Sequence, residues 1–481
     1  MILLAVVIGL GGGLGAVVFR LCIRLFNVIT WQQASYSFEY IGGLPAWWKV
    51  LAPAIGGLFV GFITWRVAQE TKGHGVPEVM EAIALRSGRI RPRVVLAKLI
   101  ASGICIGSGG SVGREGPIVQ IGSALGSSIG QWLNMDARRM RTLVGCGAAA
   151  GIAGTFNAPV AGALFAVEII LGDFAVTQFS PIVISSVGAT VVSRYFLGDQ
   201  PAFAVPSYSL VNPSELLAYV VLGVLAGMAA LAFIRTLYGV EDIFDRLPGI
   251  QPYKTLLGGA LIGVIGLWAP HIFGVGYPAI SEALRGNIVW GFMFALVVAK
   301  ILAVSITLGS GGSGGIFAPS LFIGAMLGGA IGTVVHTIWP TGAAGVGAYA
   351  LVGMGAVTAA ATHAPLTAII IIFEMTGDYK IILPLMISCI IATLLAMRLK
   401  RGSIYTLKLL RRGVDIQKGQ MINVLQHVPA REIMRPVEVT VPASSTLFSI
   451  ISSSLDNPGS TLFVTNEEGV LEGIITTDHL R

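Results

Sequence analysis

Two glycine-rich stretches, 202 residues apart, constrain this chain more than any other feature. Gly107–Gly130 reads GSGGSVGREGPIVQIGSALGSSIG, and Gly309–Gly332 reads GSGGSGGIFAPSLFIGAMLGGAIG. Laid on each other without gaps, they share 13 of 24 residues, and Pro319 falls on Pro117. The match continues at nearly constant spacing. Ala97-Lys98 meets Ala299-Lys300, and Gly73-His74-Gly75-Val76-Pro77 meets Gly274-Val275-Gly276-Tyr277-Pro278. Glu81-Ala82 meets Glu282-Ala283, Leu143-Val144-Gly145 meets Leu351-Val352-Gly353, and Ala158-Pro159 with Glu168 meets Ala364-Pro365 with Glu374. Low complexity could produce one such block but not the ordered series. Paired repeats with Gly- and Pro-interrupted apolar segments point to a transport site at the repeat interface.

The first block sets Arg114 and Glu115 among apolar residues, followed by Gly116, Pro117 and an apolar run. Proline suits the first helical turn, where its missing N–H is no loss. Glu115 is therefore expected at a helix N-terminus, which offers free N–H groups and the positive end of a dipole to anions. Irregular backbone at membrane depth is tolerated only where protein buries it or it lines a watery cavity.

Of the 481 residues, 54% are hydrophobic and 11% charged, and mean hydropathy is +0.81. Soluble domains carry about a quarter charged residues, so this is a polytopic membrane protein. Apolar segments fall near 1–29, 46–66, 93–106, 117–133, 142–155, 158–171 and 178–197, then near 214–236, 253–271, 288–307, 317–338, 348–359, 365–374 and 383–398. Short amphipathic pieces at 76–86 and 277–284 make about eight per half. Many are shorter than the roughly 20 residues that cross a bilayer upright. The net charge of +7 sits in loops and tail, with no basic stripe interleaved with aromatics, so nucleic acid is excluded as a partner. Cys22, Cys105, Cys146 and Cys389 stand singly in apolar segments and read as packing residues; no metal site is expected.

The motifs GREGP, GGIFAP, GHGVPE and Ile404-Tyr405, in this order and spacing, resemble the CLC family of chloride channels and chloride/proton antiporters. The resemblance covers about Gly9 to Arg412. It implies an all-α membrane protein of two inverted-topology repeats built from broken and tilted helices. The first repeat is expected over 1–200, a linker over 201–213, and the second repeat over 214–412, ending in the Tyr405 segment. The resemblance further implies a homodimer with one pore per subunit in the lipid bilayer, small anions as partners and chloride as bound ligand. No cofactor and no enzymatic activity are expected. The basic cluster Arg398, Lys400, Arg401, Lys408, Arg411, Arg412 and Lys418 puts the C-terminus in the cytoplasm, in a bacterial inner membrane.

The resemblance assigns Glu115 as a gating carboxylate that competes with the permeating anion. Its bland alternative is a first-turn acid complementing the helix dipole. Arg114 and Gly116 flank it, Arg114 either holding the field positive or making a structural ion pair. Ile316 and Phe317 fall on Arg114-Glu115 in the duplication and are expected to offer backbone N–H groups to the anion. His74 stands where the family often has serine; Gly75 and Pro77 keep the helix N-terminus while the hydroxyl is lost. Tyr405 is expected to donate its hydroxyl to the central anion, the alternative being an interfacial anchor. In family antiporters the stretch FNAPVAGALFAVEII typically ends in two glutamates, the second receiving protons from the cytoplasm. Here the first is Glu168 and the second is Ile169, which cannot carry a proton. Glu168 and His74 are the remaining residues for a proton path, and transport is expected to be channel-like or weakly proton-coupled. The alternative is strict exchange through a non-standard internal carrier.

From about Gly419 the composition is that of a soluble domain, and residues 419–481 resemble the first half of a CBS domain pair, a short α/β cytoplasmic fragment. In that family the module often senses adenine nucleotides; with only a first motif before Arg481, no adenine nucleotide site is counted on here. CBS modules also regulate magnesium-type cation transporters, the rival of another class. That rival needs intramembrane carboxylates ringing a cation path, whereas the acids here stand singly beside helix N-termini.

Overall fold

The computed structural model describes residues 1–174, 176–199, 212–415, 439–456 and 461–476. The chain forms two compact units, Met1–Gly419 and Gln420–Arg481.

The first unit is helical, and its principal helices fall into two sets of eight. The first set is α1 (Ile2–Trp31), α2 (Ala46–Arg66), α3 (Val76–Leu85), α4 (Arg93–Gly107), α5 (Glu115–Trp132), α6 (Ala137–Phe156), α7 (Pro159–Phe165) and α8 (Val176–Leu197). The second set is α9 (Leu216–Arg246), α10 (Gln251–Trp268), α11 (Tyr277–Leu284), α12 (Trp290–Gly309), α13 (Phe317–Ile338), α14 (Val346–Thr362), α15 (Pro365–Thr376) and α16 (Ile382–Leu399). A further helix, α17 (Thr406–Arg411), follows Tyr405. Packing repeats as well: α1 against α8 is matched by α9 against α16, and α5 against α6 by α13 against α14. Across the two sets, α2 packs on α10 and α7 on α15. Seven of the described helices are long and apolar enough to cross a membrane, and their outer faces expose Leu3, Leu25, Leu217 and Leu394. An apolar exterior of this extent suits lipid, not water.

Local chemistry sets the helix ends. Asp136 caps α6 by accepting from the Arg139 N–H at 2.7 Å, and Asn157 ends it in the left-handed region at φ 60°. Pro159 and Pro365 open the two short helices α7 and α15. Where α5 crosses α6, a Cβ on Gly122 would strike the Gly147 carbonyl, and one on Gly147 would strike that of Gly122. Gly324 and Gly353 repeat this approach between α13 and α14. Small residues at such crossings let helix backbones close up.

Three boundaries differ from expectation. Helix α9 runs to Arg246, about ten residues past its apolar run, because its polar end stays helical in solvent with Asp242 bound to Arg411. The segment after Phe165 leaves α-helix for a π-helical turn over Ala166–Leu171. A short helix, Phe38–Gly43, capped by Ser37, had no hydropathy signal. Most of the expected linker, 201–211, lies outside the described residues.

The second unit has a three-stranded sheet in the order β1 (Thr440–Pro442), β2 (Leu462–Thr465), β3 (Leu471–Ile475), with α18 (Leu447–Asp456) between β1 and β2. β1 pairs parallel to β2 with Val441 opposite Val464, and β3 pairs antiparallel with Phe463 opposite Ile474. The PAREIMRP stretch of the expected CBS motif lies outside the described residues.

Candidate functional site

Three glycine-rich loops, preceding α3, α5 and α13, are joined into one buried knot. The Gly73 N–H donates to the Gly312 carbonyl at 2.9 Å, and the Gly314 N–H donates to that of Gly73 at 3.3 Å. Gly113 and Gly315 exchange N–H···O bonds of 2.7 and 2.6 Å, an antiparallel bridge between the two repeats. The backbone is irregular, but the protein satisfies it.

Glu115 lies in this knot and is buried. Its Oε1 accepts from the Tyr277 hydroxyl at 3.2 Å, and its Oε2 accepts from the Ala318 N–H at 3.3 Å. Ala318 belongs to the first turn of α13. Glu115 therefore begins its own helix, as expected, but its carboxylate rests on the N-terminus of the other repeat's helix. N–H groups and dipole there favour negative charge. Such donors also suit a small anion.

The structure brings most of the expected site residues to this region. Gly116 packs so closely that a side chain there would strike the His74 carbonyl. Ile316, the N-cap residue of α13, and Phe317, its first residue, are buried. The Phe317 ring meets Phe156 at 5.8 Å and Phe165 at 6.2 Å. Gly75 caps α3 at φ 81°, a conformation few side chains adopt. His74 is buried, its Nδ1 has no hydrogen-bond partner, and its ring stands 6.1 Å from that of Tyr405, edge to face. Tyr405 is buried too. Arg114 donates from Nη2 to the Thr155 carbonyl at 3.2 Å, and its guanidinium lies 5.2 Å over the Tyr277 ring.

Glu168 is bound elsewhere. Its Oε1 accepts from the Leu366 N–H at 3.2 Å, and its Oε2 from the Thr367 N–H and hydroxyl at 2.7 and 2.6 Å. Glu374 does the reverse, accepting from the Val160 and Ala161 N–H groups at 2.9 and 2.7 Å. Each glutamate caps the opening turn of the other repeat's short helix, α15 or α7.

Sequence reasoning passed over several residues of the knot. Buried Lys98 donates to the carbonyls of Thr71 and Gly73 at 2.9 and 2.8 Å, and buried Lys300 to those of Ile272 and Gly274 at 2.9 and 3.0 Å. Ser313 donates to the Thr71 carbonyl at 2.7 Å and Ser111 to that of Ile272 at 2.8 Å. The signal was present: a lysine at matched positions of two apolar helices. Tyr277 also had one, a polar ring where the first repeat has Val76. Among the described residues, no group of three or more His, Cys, Asp or Glu could hold a metal ion.

Residues 56–397 match the family model described as voltage gated chloride channel. The chain is 36% identical over 422 residues to a ClcB-like protein of Ralstonia nicotianae, covering 86% of this chain and 98% of the relative. It is 35% identical over 382 residues to the H(+)/Cl(-) exchange transporter ClcA of Salmonella gallinarum, covering 77% of this chain and 80% of the relative. Among solved structures, a slow cyanobacterial Cl-/H+ antiporter superposes with a TM-score of 0.77 at 29% identity, over 85% of this chain and 97% of that one. A CLC-type fluoride/proton antiporter shares the fold, with a TM-score of 0.71 at 23% identity over 84% of this chain and 96% of that one.

Proposed function

Because the chain belongs to the voltage-gated chloride channel family, we propose that it carries chloride or a similar small anion through a pore at the interface of its two repeats, one pore in each subunit of a homodimer. It is a multi-pass integral membrane protein, and anion transport is the activity of its family. The observation that carries the reading is the Glu115 carboxylate on the Ala318 N–H. A carboxylate held at the N-terminus of the opposite repeat's helix blocks that place when it is there and frees it when protonated or displaced. Conduction needs binding favourable enough to enter and weak enough to leave, and a helix N-terminus supplied by backbone donors fits that demand.

Transport is channel-like or weakly proton-coupled. Exchange needs Glu115 to take a proton from one side and give it to the other, and the second step needs a carrier. Ile169 is buried and cannot titrate. Glu168 is committed to three donors on α15. Strict exchange is the second reading, favoured by the buried, unpartnered Nδ1 of His74 near the inner end of the path and by relatives named as exchangers. Arg86, Arg89, Arg91 and Arg93 follow α3 as a basic loop, and this loop shares one face with the basic C-terminal cluster, since Arg412 and Arg86 both bind Glu81. By the positive-inside tendency this face is cytoplasmic, in a bacterial inner membrane. The tail from 419 is a CBS-like fragment. Radiolabelled chloride efflux from proteoliposomes tests the main reading, and reversal potential against a proton gradient separates channel from exchanger. No chloride efflux overturns the first, and a reversal potential that tracks the proton gradient at a fixed ratio favours the second.

A further inference from the structure

On the face of the basic loop, a cavity of about 710 Å³ opens between that loop, the end of α5 and the start of α6. Arg86, Arg89, Arg91, Gln131, Asp136 and Met140 are among its lining residues, three cations against one acid. A concave site of one sign concentrates ligands of the other.

The loop is held in place from behind. Ser87 and Gly88 turn the chain in the left-handed region, at φ 50° and 80°, and the Gly88 N–H donates to the Ala82 carbonyl at 2.8 Å. Ser127 of α5 donates to the Gly88 carbonyl at 2.7 Å and accepts from the Ile90 N–H at 2.8 Å. Gln131 donates to the Ile90 carbonyl at 2.8 Å. From α6, Arg141 donates to the Ile83 carbonyl at 3.3 Å. Gly88 and Ile90 are thus buried and satisfied, while Arg86, Arg89 and Arg91 are exposed.

The neighbouring acids leave one arginine over. Arg86 lies 3.2 Å from Glu81, and Arg91 lies 3.4 Å from Glu70. Both pairs are exposed on the arginine side and therefore weak. Asp136 is engaged by α6, accepting from the Arg139 N–H at 2.7 Å with the Arg139 guanidinium at 3.6 Å. Among the described residues, the Arg89 guanidinium makes no hydrogen bond or ion pair. It is free to meet an outside anion, and its planar fork of donors matches phosphate oxygens.

The surroundings place that phosphate on a lipid. Trp132 directly follows Gln131 and is 83% exposed, and Leu133 and Leu85, the residue before Arg86, are exposed as well. Exposed tryptophan and leucine beside arginines mark the headgroup level of a bilayer. Basic pockets between helices at that level suit lipid headgroups. We propose that this cavity binds the headgroup phosphate of an anionic phospholipid of the cytoplasmic leaflet, with Arg89 as the principal contact and Arg86 and Arg91 turning from their carboxylates to join it. The acyl chains then lie along Trp132 and Leu133. The site is apart from the Glu115 knot and stands without the transport reading, since it needs only a membrane-spanning chain with this loop at the surface.

The test is native mass spectrometry of the whole protein in detergent, titrated with phosphatidylglycerol or with phosphatidylcholine. The wild type retains its first phosphatidylglycerol about fivefold more tightly than phosphatidylcholine. Arg89→Gln weakens phosphatidylglycerol about fivefold, and Arg89→Lys weakens it less, because lysine keeps the charge without the paired donors. The combined Arg86→Gln, Arg89→Gln, Arg91→Gln protein falls to the phosphatidylcholine level. Arg139→Gln removes a nearby surface cation that does not line the cavity, and it changes nothing. Equal retention of the two lipids by the wild type overturns the site, as do equal losses in Arg89→Gln and Arg139→Gln. Glycerol 3-phosphate that displaces phosphatidylglycerol at equal concentration overturns the lipid as occupant in favour of a soluble phosphate. If the triple variant does not assemble, Arg89→Gln against Arg139→Gln still decides.

Discussion

The two repeats agree in their scaffolding and differ at the candidate anion site. Lys98 and Lys300 hold matched pairs of carbonyls, Ser111 and Ser313 reinforce the same carbonyls, and Glu168 and Glu374 cap each other's short helices. Against that background, three of the aligned pairs that differ lie in the knot. Glu115 faces Phe317, His74 faces Val275, and Val76 faces Tyr277. The breaks converge: the second repeat's Tyr277 hydroxyl and Ala318 N–H both hold the first repeat's Glu115. In this chain, duplicated polar residues keep irregular backbone satisfied, and the unduplicated ones gather around Glu115.

The largest effect is expected from the shared scaffold. Lys98→Met and Lys300→Met each remove two charge-assisted bonds to buried carbonyls, at about 1.5–3 kcal/mol per bond, although Ser313, Gly314 and Ser111 still donate to the carbonyls of Thr71, Gly73 and Ile272. Both lower thermal stability in detergent by similar amounts; a silent substitution in one repeat would break the equivalence. Next come the crossed caps. Glu168→Gln and Glu374→Gln each weaken charge-assisted bonds to N–H groups and lower stability by about 1–2 kcal/mol. If Glu168→Gln alters proton movement while leaving thermal stability intact, the capping role is wrong. Tyr405→Ala comes third. One hydroxyl donor is lost, about 1 kcal/mol, so calorimetric anion affinity falls about fivefold with the fold intact. Unchanged affinity would return Tyr405 to a packing role. The smallest effect is expected in proton pumping. A chloride gradient is expected to drive little or no uphill proton movement in proteoliposomes, because Ile169, which cannot titrate, stands at the position proposed for the inner carrier. Robust pumping at a fixed ratio contradicts this, and its loss in His74→Ala names the substitute.

Much of the fold was legible because it is written twice. The sixteen helices follow the apolar runs and short amphipathic pieces, and the paired glycine blocks mark where helices break inside the membrane. What escaped depends on the fold bringing distant residues together. Glu168 lies 198 residues before Leu366, and nothing local to either shows that one caps the other. The reach of Glu115 to Ala318 is hidden for the same reason, since its own helix N-terminus seemed a sufficient partner. The polar end of α9 lacked hydropathy, and its helix extends through solvent on other grounds.

The account turns on Glu115 and an anion competing for the N-terminus of α13. A carboxylate leaves that place more readily once protonated, so anion flux through the wild type should rise as pH falls. Glutamine keeps the size and cannot ionise. The most direct test is anion flux from proteoliposomes measured across pH for the wild type and Glu115→Gln. The account predicts that Glu115→Gln conducts at every pH at the level the wild type reaches only in acid; a variant that gates with pH as the wild type does would contradict it.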